Sequence, residues 1–108
     1  MPDTEPLLTA VDRLADRLRA LPESRLRRGA GEAGLALARE LALRAQRLEE
    51  PGAEPRAMPA AGLFAVGDQV AVAGHDLADA LRAAPREEAA RELAGALELV
   101  DGCAGAVG

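Results

Sequence analysis

Few residues of this chain can do chemistry, and two groups of them have suggestive spacing. Gly29, Gly31 and Gly34 form the string G-x-G-x-x-G, and the acids Glu49 and Glu50 follow at about the distance of a ribose-binding carboxylate. In a dinucleotide site this string ends an apolar β-strand in a tight turn and aims a helix N-terminus at the pyrophosphate. Here the preceding residues are Ser24, Arg25, Leu26, Arg27 and Arg28, which cannot form a buried strand. The expectation is that the glycines permit close helix packing or break a helix start, and that no nucleotide is bound.

The second group surrounds His75, the sole imidazole. On a helix, Asp68, Asp79 and Arg82 share its face, and a histidine and a carboxylate one turn apart can hold a divalent ion or form a pH-sensitive pair. Two or three ligands do not close a metal site in a bundle, which takes further ligands from facing helices. The expectation is a solvated face with a His–Asp pair and an Asp79–Arg82 pair, with no metal and no cofactor. Asp68, His75 and Asp79 are the candidates for the alternative reading, a ligand- or metal-binding helical bundle.

Composition narrows the function further. The 108 residues include 26 Ala, 17 Leu and 13 Arg, but no Lys, Ile, Asn, Trp or Tyr, and only one Ser, one Cys, two Thr and two Gln. The usual nucleophiles, bases and amide donors are nearly missing, which argues against an enzyme. The bias toward Ala, Gly, Arg and Pro reads as a GC-rich, bacterial codon usage, so the arginine count is not a phosphate-binding motif. Residues 1–50 carry nine Arg against nine acids, and residues 51–108 carry four against nine, so the net charge of −5 belongs to the second half. An acidic chain without stacking aromatics is a poor nucleic-acid binder. No apolar run reaches membrane-spanning length, and the N-terminus has no basic stretch followed by an apolar one, so no membrane contact and a cytoplasmic location are expected. Cys103, alone, can form no disulfide within the chain.

These residues must be positioned by helices, because Ala and Leu abound and β-formers are scarce. The predicted fold is all-α, a small antiparallel four-helix bundle-like domain over residues 1–100. Leu7, Val11, Leu14, Leu18 and Leu21 recur every three or four residues and mark a helix over 5–21, with Thr4 as its cap and Pro22 beyond its end. A second helix is read over 25–50, capped by Ser24 and lying antiparallel beside the first. Its stripe is Leu26, Ala30, Ala33, Leu37, Leu41, Ala45 and Leu48, although the glycines allow a start nearer Glu32. Residues 51–59 hold three prolines and form a loop. Further helices are read over 60–84, with Leu63, Val66, Val70, Ala73, Leu77 and Leu81 inward, and over 86–100, with Ala89, Leu93, Leu97 and Val100 inward. Residues 101–108 are read as a disordered tail.

Leu35 and Leu43 lie off the stripe of the second helix, and Phe64 and Val72 lie off that of the third. Phe64, the only aromatic, is covered by the 51–59 loop, sandwiched inside, or exposed as an anchor. Arg25, Arg27 and Arg28 form a basic cluster that opposes the dipole of the helix they begin. The surplus apolar residues Leu35, Leu43, Phe64 and Val72 point to a non-enzymatic interaction or regulatory module, binding a protein partner or forming a homodimer.

Overall fold

The computed structural model describes residues 3–108, so the first two residues of the expected domain lie outside the described ones. The chain is all-α and bundle-like. It comprises α1 (Glu5–Ala20), a short α2 (Glu23–Arg25), a π-helical stretch (Leu26–Ala30), α3 (Gly31–Glu49), a 3-10 turn (Leu63–Ala65), α4 (Val66–Ala83) and α5 (Arg86–Val107). None of the described residues is in a strand, and none of their helices is long and apolar enough to cross a membrane.

Helix α1 follows its sequence pattern. Leu7, Val11, Leu14 and Leu18 are buried, while Asp12, Asp16 and Arg19 face outward. The N-terminal cap differs from expectation. Thr4 stands at the cap position but makes no capping hydrogen bond, and the Asp3 carboxylate instead accepts from the Glu5 N–H at 3.0 Å. Ser24 is no cap either, because Pro22 precedes the helical turn and Ser24 is exposed inside it.

The chain then crosses the end of the bundle along residues 23–30 and bends at Gly29, whose φ of 137° favours a residue without Cβ. This crossing moves α3 away from α1, correcting the expectation that the two lie side by side. Helix α4 fills the space between them, packing along α3 on one flank and α1 on the other, and α5 closes the opposite side against both.

Helices α3 and α4 run parallel. Gly31 and Gly34, at the start of α3, face Leu63 of the 3-10 turn and Val66 at the start of α4. The connection at 50–62 makes this direction possible. An extended chain advances about 3.3 Å per residue and a helix about 1.5 Å, so roughly a dozen residues can return along the whole of α3. That connection displaces the start of the third long helix from the expected residue 60. Residues 60–62 have no regular structure, Gly62 takes φ 97°, and α4 begins at Val66 after its 3-10 turn.

Close approach on the α1 flank needs glycine. A Cβ on Gly74 would sit 2.5 Å from Val11 Cγ1, and one on Gly67 would sit 2.9 Å from the Ala15 carbonyl oxygen. With a core of Leu, Val and Ala, dispersion contributes through many small contacts that require this proximity.

The expected disordered tail is helical. Helix α5 continues to Val107, which is buried, and Arg25 Nη2 donates to the Val107 carbonyl at 3.1 Å. A guanidinium beside the last carbonyls of a helix satisfies them and complements the dipole. Arg25 therefore serves the end of α5, while Arg27 pairs with Glu23 at 3.4 Å. Weak local helix propensity after Asp101 is overridden by these two tertiary anchors.

Candidate functional site

The glycine string lacks the strand–turn–helix setting of a dinucleotide site. Leu26–Ala30, where the preceding strand would be needed, is π-helical, and Glu49 and Glu50 stand at the far end of α3. The three glycines have two purposes. Gly29 supplies a backbone angle and has nothing within 4 Å of its missing Cβ, whereas Gly31 and Gly34 supply space, at 2.8 Å from Leu63 Cδ2 and 2.5 Å from Val66 Cγ1.

The His75 face is divided among separate partners. His75 Nε2 lies 2.9 Å from Asp12 Oδ1 on α1, Asp68 accepts from Arg19 at 2.7 and 2.8 Å, and Asp79 accepts from Arg82. The Arg19 pKa is raised chiefly by its hydrogen bond to Asp68. Asp68, His75 and Asp79 thus fasten α4 to α1 or to itself, and no group of three metal-ligating side chains converges among the described residues. The His75–Asp12 pair crosses between helices that sequence spacing alone does not juxtapose.

The four surplus apolar residues fall into two classes. Phe64 is 70% exposed and Val72 59%, so neither is covered by the loop nor sandwiched inside. Leu35 and Leu43 are half-buried on α3, beneath or beside the segment 50–62. Leu35, Leu43 and Val72 border the segment that lies between α3 and α4, each lining a groove beside it, and Phe64 stands in the 3-10 turn that ends it.

That segment is a strap tied down by side chains. The Gln46 amide brackets the Arg56 backbone, accepting from its N–H at 2.7 Å and donating to its carbonyl at 3.1 Å. Arg39 Nε donates to the Met58 carbonyl at 2.9 Å, and Gln69, from α4, donates to the Pro59 carbonyl at 2.9 Å. Met58 is the only half-buried residue between 51 and 62, plugging the crevice while its neighbours remain exposed. These tethers escape a search for chemical motifs, yet both glutamines of the chain serve the same strap. A lone methionine among prolines and alanines was the other available signal.

Grooves remain where the strap does not fill the crevice. One, of about 240 Å³, lies among Arg39, Leu43, Arg56 and Met58. A second, of about 320 Å³, lies between the start of α3 and residues 60–66. A third, of about 220 Å³, joins Met58, Ala65 and Val72 beside Asp68 and Gln69. Cys103 lies away from this face, on α5. Burial pushes its thiol above the ordinary range, with the charge of Arg17 opposing, so it is a poor nucleophile.

Compared with protein-family models, curated proteins and solved structures, the chain has no match.

Proposed function

We propose that this chain is a non-enzymatic helical interaction module, regulatory in kind, that associates with a second copy of itself through the face carrying Phe64 and Val72. One observation carries the reading: the only aromatic ring lies in water at 70% exposure, while Leu, Val and Ala make the core. Burying such a side chain contributes about 1.5–3 kcal/mol, so the fold leaves this stabilisation to an external cover. A two-fold pair lets one patch cover its own copy, with Val72 and the exposed strap extending the contact. The scarcity of nucleophiles and bases in the sequence supports a binding role over catalysis. The reading includes a cytoplasmic setting, in keeping with a lone thiol that needs no disulfide partner. The metal-binding alternative requires Asp68, His75 and Asp79 to leave their present ion pairs, so it is the weaker reading.

Sedimentation velocity at micromolar concentration tests the proposal. The expected result is a dimer that Phe64→Glu and Val72→Glu each convert to monomer without loss of the helical circular-dichroism spectrum. A chain that is monomeric throughout, or a dimer insensitive to both substitutions, overturns it.

A further inference from the structure

We infer that the groove between the start of α3 and residues 60–66 takes a small lipophilic cation, an alkylammonium whose chain lies on Leu35, Leu63 and Val66 and whose charge pairs with Glu32. This goes beyond self-association and does not depend on it, because Phe64 and Val72 do not line the groove.

The groove has about 320 Å³, at the low end of the range of small-molecule sites, and its surface is mainly apolar. Leu35 comes from α3, Leu63 from the 3-10 turn, Val66 from the start of α4, and Ala60 and Ala61 from the strap, so the walls belong to four different segments. Gly31 keeps the wall between Leu63 and α3 thin, since a Cβ there would sit 2.8 Å from Leu63 Cδ2.

Charge decides the class of occupant. Among the described residues, Glu32 is the one ionisable residue lining this groove, it is exposed, and none of them gives it an ion pair or a side-chain hydrogen bond. A carboxylate beside an apolar wall attracts a cation more strongly than one surrounded by water and repels an anion of the same shape. The lining also includes Gln69, whose Oε1 is buried without a hydrogen-bond partner while its Nε2 is committed to the strap. The polar feature open to a ligand is therefore the negative charge of Glu32, complementary to a cation, because the buried Gln69 Oε1 is closed off from the groove.

The test is a titration of the full chain with n-octylammonium chloride, below its micelle-forming concentration, followed by backbone amide resonances. The expected result is a set of saturable shifts confined to residues 31–35 and 60–69. Octanoate, the same chain length with the opposite charge, is expected to bind there at least tenfold more weakly. Glu32→Gln is expected to weaken octylammonium about threefold to fivefold, the scale of an exposed ion pair. Ala61→Trp, a change at an exposed strap position, fills the groove and abolishes the shifts, with the dispersion of its amide spectrum reporting that it is folded. Sedimentation of the same samples separates this result from the fate of the dimer. Equal shifts from octanoate, no saturable shift by millimolar octylammonium, or unchanged affinity in Glu32→Gln would each overturn the inference.

Discussion

The two flanks of α4 are built differently. Against α1, backbones approach at Gly67 and Gly74, and the rim is fastened by Arg19–Asp68 and His75–Asp12. Toward the outer crevice with α3, the cover is an extended strap held by Gln46, Arg39 and Gln69, with Met58 as its only half-buried plug. The first flank is closed by direct contact between its helices. The second leaves grooves, because a strap that binds through side chains to its backbone does not also fill the volume below.

That contrast can be broken most directly in the core. Leu77, fully buried on α4, is expected to cost about 2–5 kcal/mol on replacement by alanine, and the half-buried Leu43 distinctly less. Equal losses in denaturant titrations of Leu77→Ala and Leu43→Ala would mean that the two flanks are packed alike.

Glycine substitutions sharpen it through a change of sign. Gly74→Ala gains about 1 kcal/mol of helix propensity but forces a methyl to 2.5 Å from Val11, and overpacking costs about 1–3 kcal/mol, so net destabilisation is expected. Gly102→Ala, in α5 with nothing within 4 Å of the new methyl, is expected to stabilise by about 0.5–1 kcal/mol. Thermal unfolding reads both, and a stabilised Gly74→Ala would show that α1 and α4 are not in close contact.

A smaller and local effect is expected at the strap. Gln46→Ala removes two hydrogen bonds at an exposed site, a loss of about 1 kcal/mol or less, and should speed hydrogen exchange of the Arg56 amide while leaving the protection of α4 unchanged. Slower exchange would contradict the tether. The smallest effect concerns Cys103: its raised pKa lowers the thiolate fraction, so iodoacetamide should label it more slowly at about pH 8 than the same thiol in denaturant. Equal rates would place it in water.

Helix content and most of the core stripes were legible because apolar spacing reports directly on which face is buried. Leu7 to Leu18 in α1 and Val66 to Leu81 in α4 needed no tertiary information. The arrangement of those helices was not legible, since it depends on Gly29 turning the chain away and on a long connection returning along α3. The ordered end of α5 was hidden for the same reason: its stability comes from Val107 and Arg25, far apart in sequence. Of the candidate site, the surplus of Phe64 and Val72 could be read from their off-stripe positions. The strap could not, because Gln46 and Gln69 act through main-chain partners that a residue pattern does not identify.

Placing α4 between α1 and α3 has a consequence during synthesis. The apolar stripe of α1 leaves the ribosome long before residues 66–83 exist to cover it, and α3 cannot substitute because the crossing at 23–30 holds it aside. At about 5–20 residues per second the nascent chain carries Leu7, Val11, Leu14 and Leu18 uncovered for several seconds, a window in which a chaperone or a neighbouring nascent chain can reach them.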